Sequence, residues 1–425
     1  MTTAVSRPSD GLAAQSLLPR QQAILVFLSF AFAYFFSALV RAVTATLAPQ
    51  FSAELQLNSA DLGLLAGAYF FGFAVMQLPL GSALDKFGPR RVLLAFLSVA
   101  VLGCAAFAMA GSFLGLTLAR GLIGVGVAAC LMAPMTTFRR SFSPTAQMRA
   151  NSWMLMTGSL GMVASTLPVQ WLLPSLGWRG LFWMVAIFVA VSLLTIAWLV
   201  PHDGPVRRKP DAAAPGYAQV FRHPTFVRFA PMGFFQYGGM VAVQSLWAGP
   251  WLVRVCGWSP AEAAQGLFGI NMAMLLTFMA WGVVVPRLYG RGWTAHRLVA
   301  LGMPASVAAL VLAIALGPLA HAWAWALFCV TSTFVSLSQP AIAQAFPATL
   351  AGRALSAYNL AIFAGVFAVQ WGIGLVIDGL RASGWTELSA FRGAFALFAL
   401  FCALSYLWFL YRDDTLDRTK PQFSS

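Results

Sequence analysis

The feature that most constrains this chain is the recurrence of apolar segments of about twenty residues, each long enough to cross the roughly 30 Å hydrocarbon core of a bilayer as a helix. They fall at 21–48, 60–80, 92–110, 114–138, 150–174, 180–200, 227–252, 262–286, 298–317, 322–346, 354–378 and 391–411. The number is even, so both termini belong on one side. Inside a bilayer no water satisfies the backbone, so only helices and closed barrels survive there. The period-2 alternation of barrel strands is absent, and the expected class is an all-α polytopic membrane protein with twelve transmembrane helices in two six-helix bundles. Composition agrees: 60% of the 425 residues are hydrophobic and 9% are charged, against about 25% charged in a soluble domain.

A formal net charge of +14 would suggest nucleic acid in a soluble protein. Here it first has to be set against topology, because cytoplasmic loops carry an excess of Lys and Arg. With the termini inside, twenty of the 26 basic residues lie in cytoplasmic segments and four outside (Arg179, Arg254, Arg381, Arg392), which leaves Arg41 and Arg120 within spans. The basic excess is thus topological. The expected setting is a bacterial-type inner membrane with both termini cytoplasmic, a lipid bilayer as surroundings, no nucleic-acid partner and a monomeric chain.

Cys104, Cys130, Cys256, Cys329 and Cys402 have no paired or metal-like spacing and read as small core residues. No metal or cofactor is expected. The first twenty residues lack a signal-peptide pattern, so the first span should direct insertion. Residues 201–224, PHDGPVRRKPDAAAPGYAQVFRHP, are the one sizeable internal polar stretch. They divide the chain into an N-terminal bundle (1–200), a cytoplasmic linker (201–226) and a C-terminal bundle with a cytoplasmic tail (227–425).

The two halves echo each other. VQW occurs at 169–171 and again at 369–371, each after a polar turn containing an arginine, as in the parallel repeats that build a midplane site between bundles. The openings of spans 6 and 12, GWRGLFW (177–183) and SGWTELSAFRGAFALF (383–398), read as Trp/Arg anchors at the headgroup level.

Between spans 2 and 3 runs GSALDKFGPRR, 81–91. Gly81 and Gly88 permit close packing and a tight turn, and Asp85 suits a helix N-terminus or an arginine. Here the chain resembles the major facilitator superfamily, whose signature in this loop is matched by Gly81, Asp85, Gly88, Arg90 and Arg91. The resemblance extends over the whole chain and implies that the loop pairs with the opposing bundle as a conformational gate; turn geometry and topology alone are the competing reading. The counterpart in the second half, VVPRLYGRGWTAHR (284–297), has no aspartate, so the gate should be asymmetric. In span 4, Arg120 precedes Gly124 and Gly126, resembling the superfamily's fourth-helix motif, in which glycines allow close helix contact. Arg120 lies within about 10 Å of the outer loop at 111–113, so snorkelling and a functional place in the core stand about equal.

Arg41 lies about twenty residues, or roughly 30 Å of helix, from the cytoplasmic end of span 1. A lipid-facing arginine there costs at least about 2.5 kcal/mol. Tyr34, Ser37, Arg41 and Thr44 share one helical face, as a cavity-lining helix requires; snorkelling outward is the alternative. A guanidinium is a permanent fork of donors suited to carboxylates, and none of the twelve acids falls deep within a span by these boundaries. Positive charge without a buried acid favours an anionic substrate and disfavours efflux of lipophilic cations.

One branch sharpens this. The organic-anion carriers of the anion:cation symporter family, including sialin-like and bacterial sugar-acid transporters, carry a first-helix arginine followed about thirteen residues later by an acid, which Arg41 and Glu54 resemble; the resemblance implies that Arg41 contacts the substrate carboxylate. That branch places coupling acids where this chain has Val40 and Val127, so a coupling ion, a counter-anion or simple facilitated movement all remain open. Neutral contacts are expected from Gln170, Gln236, Tyr237, Gln244, Trp247, Asn271, Gln339, Tyr358, Asn359 and Gln370, together a cavity for a hydroxylated or otherwise polar anion; taken singly, an interhelical hydrogen bond is the stronger reading of each. The expected function is alternating-access transport of small organic anions and not enzymatic catalysis, with export of drugs or amphipathic compounds as the alternative.

Overall fold

The computed structural model describes residues 17–202 and 216–411. The centre of the expected linker (203–215), with Arg207, Arg208 and Lys209, lies outside the described residues, as do both chain ends. Among the described residues every regular element is a helix. Nine helices are long and apolar enough to cross a membrane, or ten when Ser59–Val75 and Gln77–Phe87, bent by 44°, form one span.

The other two of the twelve spans are hidden by breaks. Gly177, at φ 61° and ψ 171°, divides Leu167–Leu199; the part before it continues Pro144–Ala164 as span 5, and the part after it is span 6. Span 7 starts at Pro224–Met232 and then widens into π-helical turns at Gly233–Tyr237, Val243–Trp247 and Trp251–Val255. The remaining spans are Arg20–Leu55 (1), Pro89–Met109 (3), Phe113–Ser141 (4), Pro260–Gly290 (8), Ala295–Leu316 (9), Ala322–Ala345 (10), Ala348–Ala382 (11) and Glu387–Tyr411 (12).

Local chemistry sets the ends. Asn58 and Asp61 form a reciprocal capping box at the start of span 2, and Ser259 and Glu262 do the same for span 8. Gly88 takes φ 84° between Phe87 and Pro89, a conformation that glycine reaches without a steric penalty, and Pro89 supplies the first residue of span 3.

In lipid, helices gain little hydrophobic free energy by pairing, so close packing rests on small residues. A Cβ on Gly124 would run into the Tyr69 backbone of span 2, and one on Gly126 into the Ala100 backbone of span 3. This is the contact expected of those two glycines. Spans 2 and 11 approach as closely: a Cβ on Gly63 would meet the Gln370 carbonyl, and one on Gly374 the Ser59 carbonyl.

The halves also meet through polar bonds at the face opposite the termini, here the far face. Asp378, near the end of span 11, accepts from the Ser59 and Ala60 amides at 3.2 and 2.6 Å and so caps span 2 from the other half. Arg254, at the end of span 7, pairs with Glu387 at 2.5 Å and donates to Ser59 Oγ at 3.0 Å. In the segments opening spans 6 and 12, Trp183 and Trp385 are exposed as anchors would be, while three other groups have protein partners. Trp178 is buried, donating to Glu54 while Arg179 pairs with the same carboxylate; Arg392 donates to the Ile314 and Ala315 carbonyls ending span 9. Protein partners, not headgroups, satisfy these groups.

Candidate functional site

Along span 1 the residues flanking Arg41 are almost fully enclosed, Val40 at 1% and Ala42 at 2% exposure, whereas Arg41 is half-buried. Its side chain opens on a cavity of about 120 Å³ between the two halves, shared by Ser159 and Met162 of span 5, Tyr237, Met240, Val241 and Gln244 of span 7, and Asn271, Met274, Leu275 and Phe278 of span 8. The guanidinium carbon stands 5.7 Å from the centre of the Phe73 ring, and Tyr34 and Tyr69 are its near phenolic neighbours. Arg41 Nε is buried without a partner. The side chain thus turns inward, away from the bilayer edge. The π-helical turns of span 7 carry Tyr237 and Gln244; such turns rotate side chains out of the α-helical register and recur at functional sites.

Arg120 is 1% exposed, so it does not snorkel. Its Nη2 donates to the Val40 carbonyl at 2.9 Å and to Thr44 Oγ1, and its guanidinium carbon lies 5.2 Å from the centre of the Tyr69 ring. Arg120 ties span 4 to the back of span 1. Thr44, placed by periodicity on the cavity face, therefore serves this tie; Ser37 is enclosed at 1% exposure with its hydroxyl unpaired, and Tyr34 is 6% exposed.

The polar groups of the C-terminal half are largely bonded to one another. Gln244 Nε2 donates to Asn271 Oδ1 at 2.9 Å, and Asn271 Nδ2 to the Leu267 carbonyl at 2.9 Å. Trp247 is fully buried, donating to the Gln370 carbonyl, and the Gln370 amide donates to Ser245 Oγ. Tyr358 is fully buried against Ser338, and Asn359 accepts from Gln339. Trp247, Tyr358, Asn359 and Gln370 are not among the residues lining the cavity. Gln170 is likewise absent from the lining; both glutamines of the VQW repeat leave Oε1 unpaired, but Gln170 is half-buried whereas Gln370 is fully buried and bonded to Ser245. For most of these groups the structure shows the interhelical bonds that were the alternative to a cavity for a hydroxylated or otherwise polar anion; of them, Tyr237, Gln244 and Asn271 line the cavity.

Sequence reasoning missed Tyr69, Ser159 and the apolar walls. Tyr69, a fully buried phenol inside an otherwise apolar span, carried a readable signal; a methionine or phenylalanine facing a cavity looks the same in sequence as one packing a core. A larger cavity of about 240 Å³ between spans 1, 5 and 6 is lined only by apolar side chains such as Phe35, Leu39 and Val185, with nothing to recognise a charge.

In the loop joining spans 2 and 3, Asp85 and Arg91 are exposed and Arg90 is buried. Arg90 Nη2 donates to the Ala197 carbonyl of span 6 at 2.5 Å. Arg90 thus makes this bond within its own half, where the gate reading had paired it with the opposing bundle. Gly81 faces that bundle, with Ser356 Oγ of span 11 at 4.0 Å from where its Cβ would be, and Tyr217, in the described part of the linker, donates to the Leu78 carbonyl at 3.3 Å.

Comparison with known proteins follows this geometry. The chain is 25% identical over 256 residues to the cis,cis-muconate transport protein of Acinetobacter baylyi, covering 57% of this chain and 61% of that one. It is 28% identical over 172 residues to the hexuronate transporter of Escherichia coli, covering 40% and 39%. In both cases the match spans less than two thirds of the relative's own length. Among solved structures, the inward-facing, unoccupied bacterial homologue of the human lysosomal transporter Spinster superposes with a TM-score of 0.76 at 17% identity, over 96% of this chain and all of that one, which speaks to the fold alone. Residues 30–370 match the Major Facilitator Superfamily. With a family match over most of its length and twelve helical spans in two bundles, the chain belongs to that superfamily of multi-pass membrane transporters.

Proposed function

We propose that this transporter moves small organic anions by alternating access, with Arg41 as the anchor for a carboxylate. The observation that carries the reading is a guanidinium opening on a cavity between the halves while no acidic side chain, among the described residues, lines that cavity. A buried arginine without a protein carboxylate retains its capacity for charge-assisted bonds, the strong kind. Arg41 Nε, enclosed and unpaired, supports this. The muconate and hexuronate named for the relatives are both organic anions, which agrees with it. The positions that carry acids in the proton-coupled branch are Val40 and Val127, at 1% and 3% exposure, so we infer anion exchange or facilitated movement. Positive-inside counting supports an inner-membrane protein with cytoplasmic termini.

The test is binding and uptake by the purified protein in proteoliposomes, using a panel of mono- and dicarboxylates. Truncating one partner of a buried charge pair costs about 2–5 kcal/mol, so Arg41→Ala should weaken binding by roughly 30-fold or more. Arg41→Lys keeps the charge and loses the fork, and should fall in between. Wild-type uptake by both folded variants would refute the carboxylate anchor.

A further inference from the structure

The apolar part of the cavity says what kind of anion fits it. Resting on the carboxylate reading of Arg41, we propose that the substrate is a monocarboxylate with a small, planar, unsaturated or aromatic body, and that sugar acids and dicarboxylates are poor ligands.

Three observations converge. The first is size: at about 120 Å³ the cavity is close to the roughly 150 Å³ of an apolar cavity known to take up benzene. The second is the wall. With Arg41 the cavity is lined by Met162, Met240, Met274 and Phe278, and by Val241 and Leu275. Thioethers are polarizable and adaptable and make favourable contacts at aromatic ring edges, so they suit a flat apolar body better than a hydroxylated one. The third is the scarcity of free hydrogen-bonding groups. Gln244 is bonded to Asn271, Asn271 to the Leu267 carbonyl, and the Ser159 hydroxyl to the Leu155 carbonyl at 3.3 Å, so the Tyr237 phenol is the main further hydroxyl that the lining offers a ligand. A sugar acid would bring several hydroxyls into this space and leave most of them without partners, each a penalty.

The charge count adds a limit. Among the described residues Arg41 is the one cation lining the cavity, while Arg120 is enclosed behind span 1 and bonded to Val40 and Thr44. A second carboxylate on the ligand would be stripped of water with no cation to meet it. Arg41 therefore holds the carboxylate, and the methionines with the Tyr237 and Phe278 rings line the space left for the body of the ligand.

Binding of benzoate, glucuronate and cis,cis-muconate to the purified full-length protein by isothermal titration calorimetry tests this, with Arg41→Ala run in parallel. The expected result is benzoate bound at least tenfold more tightly than either of the others, in an Arg41-dependent manner. Arg41-dependent binding in which glucuronate or muconate equals or exceeds benzoate would overturn this inference and leave the anion-anchor reading in place. Absence of binding by all three, or binding indifferent to Arg41, would overturn both. Met162→Gln, at a half-buried position where a polar amide has room, supplies the second arm: the benzoate-to-glucuronate ratio should fall at least fivefold, and an unchanged ratio counts against the methionine wall. If that variant fails to fold, Phe278→Asn, also half-buried, is read in the same way.

Discussion

Asp378→Ala should loosen the far face of the transporter by an amount that its two bonds allow to be worked out. The carboxylate accepts from the Ser59 amide at 3.2 Å and from the Ala60 amide at 2.6 Å, so it acts as a cap for span 2 delivered by the other half of the protein. A hydrogen bond to a charged group contributes about 1.5–3 kcal/mol net, and an anion at a helix N-terminus adds about 0.3–1 kcal/mol. Asp378 is only half-buried and its bond to Ser59 is long, so with only the short bond counted, at the low end, plus the helix-end contribution, the cap is worth about 2 kcal/mol. Because span 2 belongs to one half and span 11 to the other, that energy is lost only when the halves part at this face. Removing it should raise the population of the far-face-open state roughly 30-fold relative to the closed one, at about 1.4 kcal/mol per decade. Spin labels at Ala53→Cys and Ser383→Cys, both exposed, report the separation by double electron–electron resonance in a Cys256→Ser background, the other four cysteines being buried. Asp378→Asn, which keeps an acceptor without the charge, should give an intermediate shift. A distance distribution in Asp378→Ala identical to that of the parent would refute the assignment of the cap as a tie between the halves.

Further expectations concern stability and can be read from thermal melts in detergent. Gly124→Ala would drive a methyl group into the Tyr69 backbone and should cost about 1–3 kcal/mol, visible as a lowered Tm. Arg120→Met should melt at or above the parent temperature, since Arg120 Nε and Nη1 are buried without partners and apolar replacement of a buried charge is often neutral or stabilising; a large loss of Tm would show that its bonds to Val40 and Thr44 outweigh desolvation. Trp178→Phe keeps the ring and removes the donor to Glu54, and should destabilise by about 1–2 kcal/mol.

The span count was legible because the length and hydropathy of a membrane helix are imposed by the bilayer rather than by tertiary context. The glycines of span 4 were legible for a related reason, since close approach of two backbones admits few residue types. What remained hidden was direction. Thr44 and Tyr34 lie at the spacings of a common face with Arg41, yet Thr44 is taken up by Arg120, whose reach across from span 4 no one-helix pattern can reveal. Gln370 and Gln170 share a tripeptide and differ in environment, because one faces Ser245 and the other does not. The π-helical turns of span 7 were also invisible, as nothing in GFFQY or VQSLW distinguishes a widened turn from an α-helical one.

The contrast between the two intramembrane arginines is the clearest guide to function. Both are near Tyr69 and neither meets a carboxylate among the described residues, so burial and charge alone do not separate them. Access does. Arg120 is enclosed within the N-terminal half, with Nη2 bonded to the backbone and hydroxyl of span 1. Arg41 is half-open and lines the cavity where the two halves face each other, so anything entering that cavity also meets spans 7 and 8. In an alternating-access transporter a ligand influences the equilibrium only through differential contacts in the two states. The arginine positioned to supply such contacts is Arg41, because its cavity exists only as long as both halves enclose it.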